Sequence, residues 1–148
     1  MEPIIMECSC AAVRSAARAV TRAYDEVLRP LQLRMTQYTI LAKVSKEGQL
    51  ALSDLADRIV MDRTTLARNI KPLEREGWMT VSVGSDRRER LLSVTPAGLE
   101  LLARARPLWL ETSRRLDEKL GSEQAAVLRA TMQEVVKAAR ELSEEAAS

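Results

Sequence analysis

Histidine and phenylalanine are both absent from this chain, and each absence excludes something. Without an imidazole there is no His-based catalytic triad, and the two cysteines cannot complete a zinc site by themselves. Those cysteines, Cys8 and Cys10, stand one residue apart. A bond between them cannot form within a helix, so they are not a structural staple. Aromatic residues make up only 3% of the chain, so its core must be built from Leu, Val, Ile, Ala and Met, a composition that favours helices. No apolar run approaches the length of a membrane span. The first residues, Met1-Glu2-Pro3-Ile4-Ile5-Met6, lack the basic start and long apolar stretch of a secretory signal, so a cytoplasmic location is expected. The glycines are scattered at helix ends and turns rather than gathered into a phosphate-cradling loop. No paired carboxylates or activated nucleophile accompany them, so the chain does not read as an enzyme, and neither a metal nor a cofactor is expected.

What remains is ordinary for a folded protein. A chain of 148 residues, 46% apolar and 30% charged, can bury one real core and reads as one compact domain overall. The net charge of +2 is too small to indicate nucleic acid, so any electrostatic footprint must be local.

The hydrophobic spacing predicts a mainly α chain with a small β-hairpin. Cys10, Val13, Ala17, Val20, Tyr24, Val27 and Leu31 form one stripe on a helix from about Cys10 to Arg29, while Arg14, Arg18 and Arg22 recur on another face. Thr36 is the expected N-cap of a second helix, with Ile40, Leu41 and Val44 inward and Gly48 at its end. Leu50-Ala51-Leu52 can form a short strand. Ser53 is then the expected cap of a third helix, Asp54 to Val60, and Asp62 that of a fourth, Arg63 to Glu76. Trp78 to Val83 and Arg90 to Val94 read as paired strands joined by a polar tip. Thr95-Pro96 opens a fifth helix, with Leu99, Leu102, Leu110, Leu116 and Leu120 on its apolar side and Pro107 inside it. After Gly121, Leu128, Met132, Val135, Ala139 and Leu142 form a seam suited to packing on another helix.

In the fourth helix Arg63, Thr64, Thr65, Arg68, Asn69 and Lys71 lie off the apolar stripe. They mix charge with groups that donate and accept hydrogen bonds, as a major-groove reader requires. A solvated polar face is the plainer account of that helix alone. The hairpin tip decides between them: Arg87, Arg88 and Arg90 cluster with Asp86 on a thin projecting loop, which can enter a narrow minor groove. Two helices followed by a basic wing is the order of a winged helix-turn-helix. Pro72 bends the final turn of the fourth helix, either to tilt it in the groove or merely as a tolerated residue.

The runs Leu52-Ser53-Asp54-Leu55-Ala56, Met61-Asp62-Arg63-Thr64-Thr65-Leu66-Ala67-Arg68-Asn69 and Leu73-Glu74-Arg75-Glu76-Gly77-Trp78 resemble the MarR family of bacterial regulators. So does the wing, Asp86-Arg87-Arg88, followed by Leu91-Leu92-Ser93-Val94-Thr95-Pro96-Ala97-Gly98. The resemblance implies a homodimeric repressor on a pseudo-palindromic site in double-stranded DNA. Arg88 then belongs in the minor groove and the start of the fourth helix in the major groove, with Asp86 orienting the wing arginines. It also implies an organisation of 1–34 as an N-terminal dimerisation helix, 35–95 as the winged module and 96–148 as C-terminal dimerisation helices.

Two release signals remain open. Counted from Cys10, the residues Tyr24, Leu28, Leu31, Thr36, Gln37 and Tyr38 are similar to the organic-hydroperoxide-responsive branch of the family, which implies a reactive thiol at Cys10 contacted by the partner's Tyr24. Cys10 reads equally well as a small buried hydrophobe. The competing signal is an aromatic or phenolic anion bound between the winged module and the dimer helices. From a different class altogether, the same seams could serve a helical interaction or scaffold protein without DNA binding; steep salt dependence of duplex binding separates the two.

Overall fold

The computed structural model describes residues 8–148, so the run from Met1 to Met6 read for a secretory signal lies outside the described residues. They form two compact units, a first ending at Thr112 and a second, Ser113–Ser148. The order is α1 (Ser9–Leu28), a 3-10 turn (Arg29–Leu31), α2 (Met35–Glu47), β1 (Leu50–Ala51), α3 (Leu52–Arg58), α4 (Arg63–Arg75), β2 (Met79–Val83), β3 (Arg90–Val94), α5 (Pro96–Leu120) and α6 (Ser122–Ala147). The helix-rich architecture with a small antiparallel sheet is the winged helix-turn-helix that the hydrophobic spacing predicts.

Local chemistry sets most boundaries. Pro30 lies in the 3-10 turn that closes α1, and Gln32 then takes a left-handed φ of 55°. α2 begins one residue before the expected Thr36 cap. Its N-cap is Arg34, whose N–H is accepted by Gln37 Oε1 at 2.9 Å, while the Met35 N–H is taken by Asp25 Oδ1 of α1 at 2.7 Å. A tertiary carboxylate thus replaces the local hydroxyl. Ser53 is likewise not a cap: α3 starts at Leu52 from an extended Ala51 with no side-chain capping bond. β1 is correspondingly shorter than Leu50-Ala51-Leu52. The α3–α4 turn passes through Val60 at φ 56°, a conformation that β-branched residues rarely adopt.

The core of the first unit is aliphatic. Leu28, Leu33, Ile40, Leu41, Val44, Leu55, Leu66, Ile70, Leu73, Met79 and Leu92 are buried together, with Tyr38 and Leu101 at the edge of the cluster. The sheet order is β1-β3-β2, all antiparallel. β3 is central, and its Leu92 is opposite Leu50 on one side and Val81 on the other.

α5 turns a different face to this core from the one its leucines suggested. Gly98, Leu101 and Ala105 are its buried residues, whereas Leu99 and Leu110 are 48% and 57% exposed. In the second unit Leu120, Leu128 and Leu142 are exposed as well. On α1, burial is confined to Tyr24 and Leu28; Cys10 and Ala17 are exposed, so the stripe is covered only at its C-terminal end. The helices α4 and α5 continue through Pro72 and Pro107.

The junction between hairpin and α5 is tightly built. Thr95 donates its hydroxyl to Gly77 O at 2.6 Å and accepts the Gly98 N–H at 3.1 Å, and the Thr95 N–H reaches Trp78 O at 3.0 Å. A Cβ on Gly98 would lie 2.2 Å from that same Trp78 carbonyl oxygen. Gly98→Ala is therefore expected to destabilise the fold by about 1–3 kcal/mol through overpacking. Urea unfolding measures it, and an unchanged midpoint would contradict the close approach.

Candidate nucleic-acid interface

α4 is held at its start by Asp62. One carboxylate oxygen accepts the Thr65 N–H at 2.8 Å and the other accepts the Thr65 hydroxyl at 2.5 Å. These bonds, the hydroxyl first, hold the Asp62 carboxyl below the usual carboxylate range, with the charge of Arg68 adding to them. Leu66, Ile70 and Leu73 anchor one face of α4 in the core. The other face carries Arg63, Thr64, Arg68 and Lys71, all exposed. Thr65 and Asn69 are half-buried and already engaged: Thr65 with Asp62, and Asn69 through an Nδ2 bond to Thr65 O at 2.9 Å. The six polar positions singled out on this helix thus separate into four that face solvent and two that brace its first turns. The cap was legible as Asp62 before an apolar-periodic run; the part played by Thr65, three residues on, was not drawn from that spacing.

The wing is a ladder with a stiffened tip. Met79 pairs with Val94 and Val83 with Arg90. Beyond that pair, the Gly84 N–H reaches Glu89 O at 3.1 Å and the Glu89 N–H reaches Asp86 O at 2.9 Å. Asp86 Oδ1 accepts the Arg88 N–H at 2.9 Å, so the acid shapes the turn that carries the arginines. Arg87 and Arg88 project into solvent. Arg90 differs from them, because its guanidinium donates to Arg87 O at 2.8 Å and braces the loop. β3 links this wing to β1, the strand that runs directly into α3, so hairpin and helix pair share one sheet.

A groove of about 970 Å³ opens between α2 and α5 within the first unit. Tyr38 and Trp109 stack along it with ring centroids 5.6 Å apart and planes 23° from parallel. Lys43, Lys46 and Arg106 also line it. Burial pushes the Tyr38 phenol above its ordinary value, against the opposing influence of Arg106. Tyr38 enters the sequence reading only through the family resemblance, and its stacking on Trp109 leaves no local mark because the two lie on helices far apart in the chain.

The candidate sensing residues are not brought together within one chain. Cys10 and Tyr24 lie fourteen residues apart on α1, about 21 Å along a helix. Tyr24 is buried, and Cys10 is exposed rather than being a core residue of its own chain. Cys8 takes the N-cap of α1. Backbone N–H groups of Ala11 and then Cys10 lower its thiol pKa. Among the described residues, no group of three His, Cys, Asp or Glu is placed to hold a metal ion, and no helix is long and apolar enough to cross a membrane.

Comparison with known proteins agrees with this geometry. The MarR family profile matches residues 33–89, from just before α2 to the wing tip. The M. tuberculosis transcriptional regulator MosR, solved in complex with DNA, is 35% identical; the match covers 91% of this chain and 98% of that one with a TM-score of 0.84. The HTH-type transcriptional regulator YwoH of Bacillus subtilis is 28% identical over 83 residues, 56% of this chain and 61% of YwoH, so the match spans less than two thirds of that relative's length. A cysteine-to-serine mutant of MarR from E. coli, complexed with operator DNA, shares the fold at a TM-score of 0.76 and 20% identity, over 84% of this chain and 91% of that one. A fold shared along nearly its whole length with a relative of MosR's identity, together with the family profile on its helix-turn-helix and wing, establishes that the chain belongs to the MarR family.

Proposed function

We propose that this protein is a homodimeric, sequence-specific regulator of transcription that binds a pseudo-palindromic operator in double-stranded DNA as a repressor. The observation that carries the reading is the pairing of two exposed basic probes on one sheet-linked frame. Arg63, Thr64, Arg68 and Lys71 stand on the free face of α4, and Arg87 and Arg88 stand on a tip shaped by Asp86. Thr65 and Asn69 support the first of these probes, and Arg90 supports the second. A helix of this kind fits the major groove through its N-terminal residues, and an arginine on a thin loop fits a narrow minor groove. The dimer is supported by apolar surface that one chain leaves open: Leu99, Leu110, Leu120, Leu128 and Leu142 are all exposed. On that reading residues 1–34 and 96–148 supply the dimer helices and 35–95 the winged module.

Release by an aromatic or phenolic anion is supported by the groove between α2 and α5. Its stacked Tyr38 and Trp109 offer a flat apolar wall, and Arg106, Lys43 and Lys46 offer positive charge. A second reading, release by organic hydroperoxide at Cys10 facing the partner's Tyr24, is favoured by the exposure of the thiol.

Arg88→Ala is expected to weaken operator binding and to reduce the preference for A·T-rich flanks, measured by fluorescence anisotropy at physiological salt; unchanged affinity removes the wing from the interface. Arg68→Ala is expected instead to change which bases are tolerated, by about 1–3 kcal/mol at the contacted position. A uniform loss over all sequences would show that it touches phosphates only. Salicylate is expected to release wild-type and Cys10→Ser protein alike, and Arg106→Gln is expected to need on the order of tenfold more of it. Release by cumene hydroperoxide alone, abolished in Cys10→Ser, would reverse that assignment in favour of the thiol.

A further inference from the structure

The arginines that recur along α1 have no part in the DNA-binding reading. Two of them, Arg18 and Arg22, line a groove of about 740 Å³ with Arg29 and Arg34, which follow α1, and with Asp25 and Glu26. All four arginines are exposed, and among the described residues none of them is in an ion pair. Arg18 donates to Ser15 Oγ at 3.1 Å. The two carboxylates do not balance the cations, and one of them is partly engaged, since Asp25 Oδ1 holds the Met35 N–H at 2.7 Å.

The groove lies away from the DNA probes. Gln32 lines it and also borders a smaller cleft with Trp78 and Ala97. Trp78 marks the base of the hairpin, and its N–H is bonded to Leu73 O in the last turn of α4. The five residues of β2 extend about 16 Å from that base towards the tip. The groove therefore sits at the end of the hairpin opposite Arg87 and Arg88, and at the end of α4 opposite Asp62. A duplex gripped by those residues leaves its arginines unexplained.

We propose that this groove is a binding site for a small phosphate-chain anion of the di- or triphosphate class. Guanidinium groups present planar, paired donors that match phosphate oxygens. Several such groups on one concave surface suit a ligand carrying several negative charges on a short flexible chain better than a single carboxylate. The volume falls within the range of about 300–1,000 Å³ usual for small-molecule sites. The site lies on the segment read as a dimer helix but uses none of the residues assigned to α4's free face or to the wing, so its failure and the failure of the DNA probes are distinguishable.

Isothermal titration of the full chain with inorganic tripolyphosphate, at physiological salt and without divalent metal, tests this. Wild type and an Arg87→Ala/Arg88→Ala variant are expected to bind alike. Arg22→Gln/Arg29→Gln, and separately Arg18→Gln/Arg34→Gln, are expected to bind at least about tenfold more weakly while keeping the wild-type circular dichroism spectrum. Citrate, which offers carboxylates only, is expected to bind more weakly than tripolyphosphate. No binding to wild type, undiminished binding in both folded groove variants, equal loss in the wing variant, or citrate binding as tightly would each overturn the proposal.

Discussion

The registers that link the α3–α4 pair to the wing meet at Leu92. It is fully buried in the central strand, opposite Leu50 of β1 and Val81 of β2, so one side chain fixes two strand registers. β1 runs directly into α3 and hence into α4, while β2 and β3 continue into the wing. Shifting either pairing by one residue would turn alternate side chains to the opposite face and take the leucine out of the core. Helix pair and wing are therefore tied to one sheet, and Leu66, Ile70 and Leu73 add the packing of α4 on the same core.

The frame is aliphatic because the chain offers little else. With no phenylalanine, Leu28, Leu41, Leu55, Leu66 and Leu73 fill the first unit and are fully buried. The scarce aromatics sit at its margin: Tyr38 is buried at the edge of the cluster and stacks on Trp109 along an open groove. The leucines left over on α5 and α6 are more than one chain covers, which is the physical argument for a second copy.

Much of this was legible in the residues themselves. The strands, the Asp62 cap and the wing carry strong local signals: a carboxylate before an apolar run, β-branched pairs and a glycine-led turn. The misplaced caps of α2 and α3 share one cause. Thr36 and Ser53 have suitable hydroxyls, but Asp25 reaches across from α1 to take the Met35 N–H, and Ala51 is already extended in a sheet. Tertiary contacts overrode local propensity at both. The inward face of α5 was misread because Gly98 and Ala105 let the backbone approach closely, and small residues leave no mark in a leucine pattern. On α4, the polar stripe gave the set of residues but not its division, since the engagement of Thr65 and Asn69 depends on side-chain geometry. The aromatic groove needed the folded chain, because it is assembled from two helices that meet only in three dimensions.

The most direct test of the central claim is selection of bound duplexes from a random pool with the purified protein, followed by sequencing. Inverted repeats are expected, with half-site centres about one helical turn, 10–10.5 base pairs, apart and A·T-rich positions beside them. Enrichment of a single asymmetric half-site, or no enrichment above the starting pool, would contradict that claim.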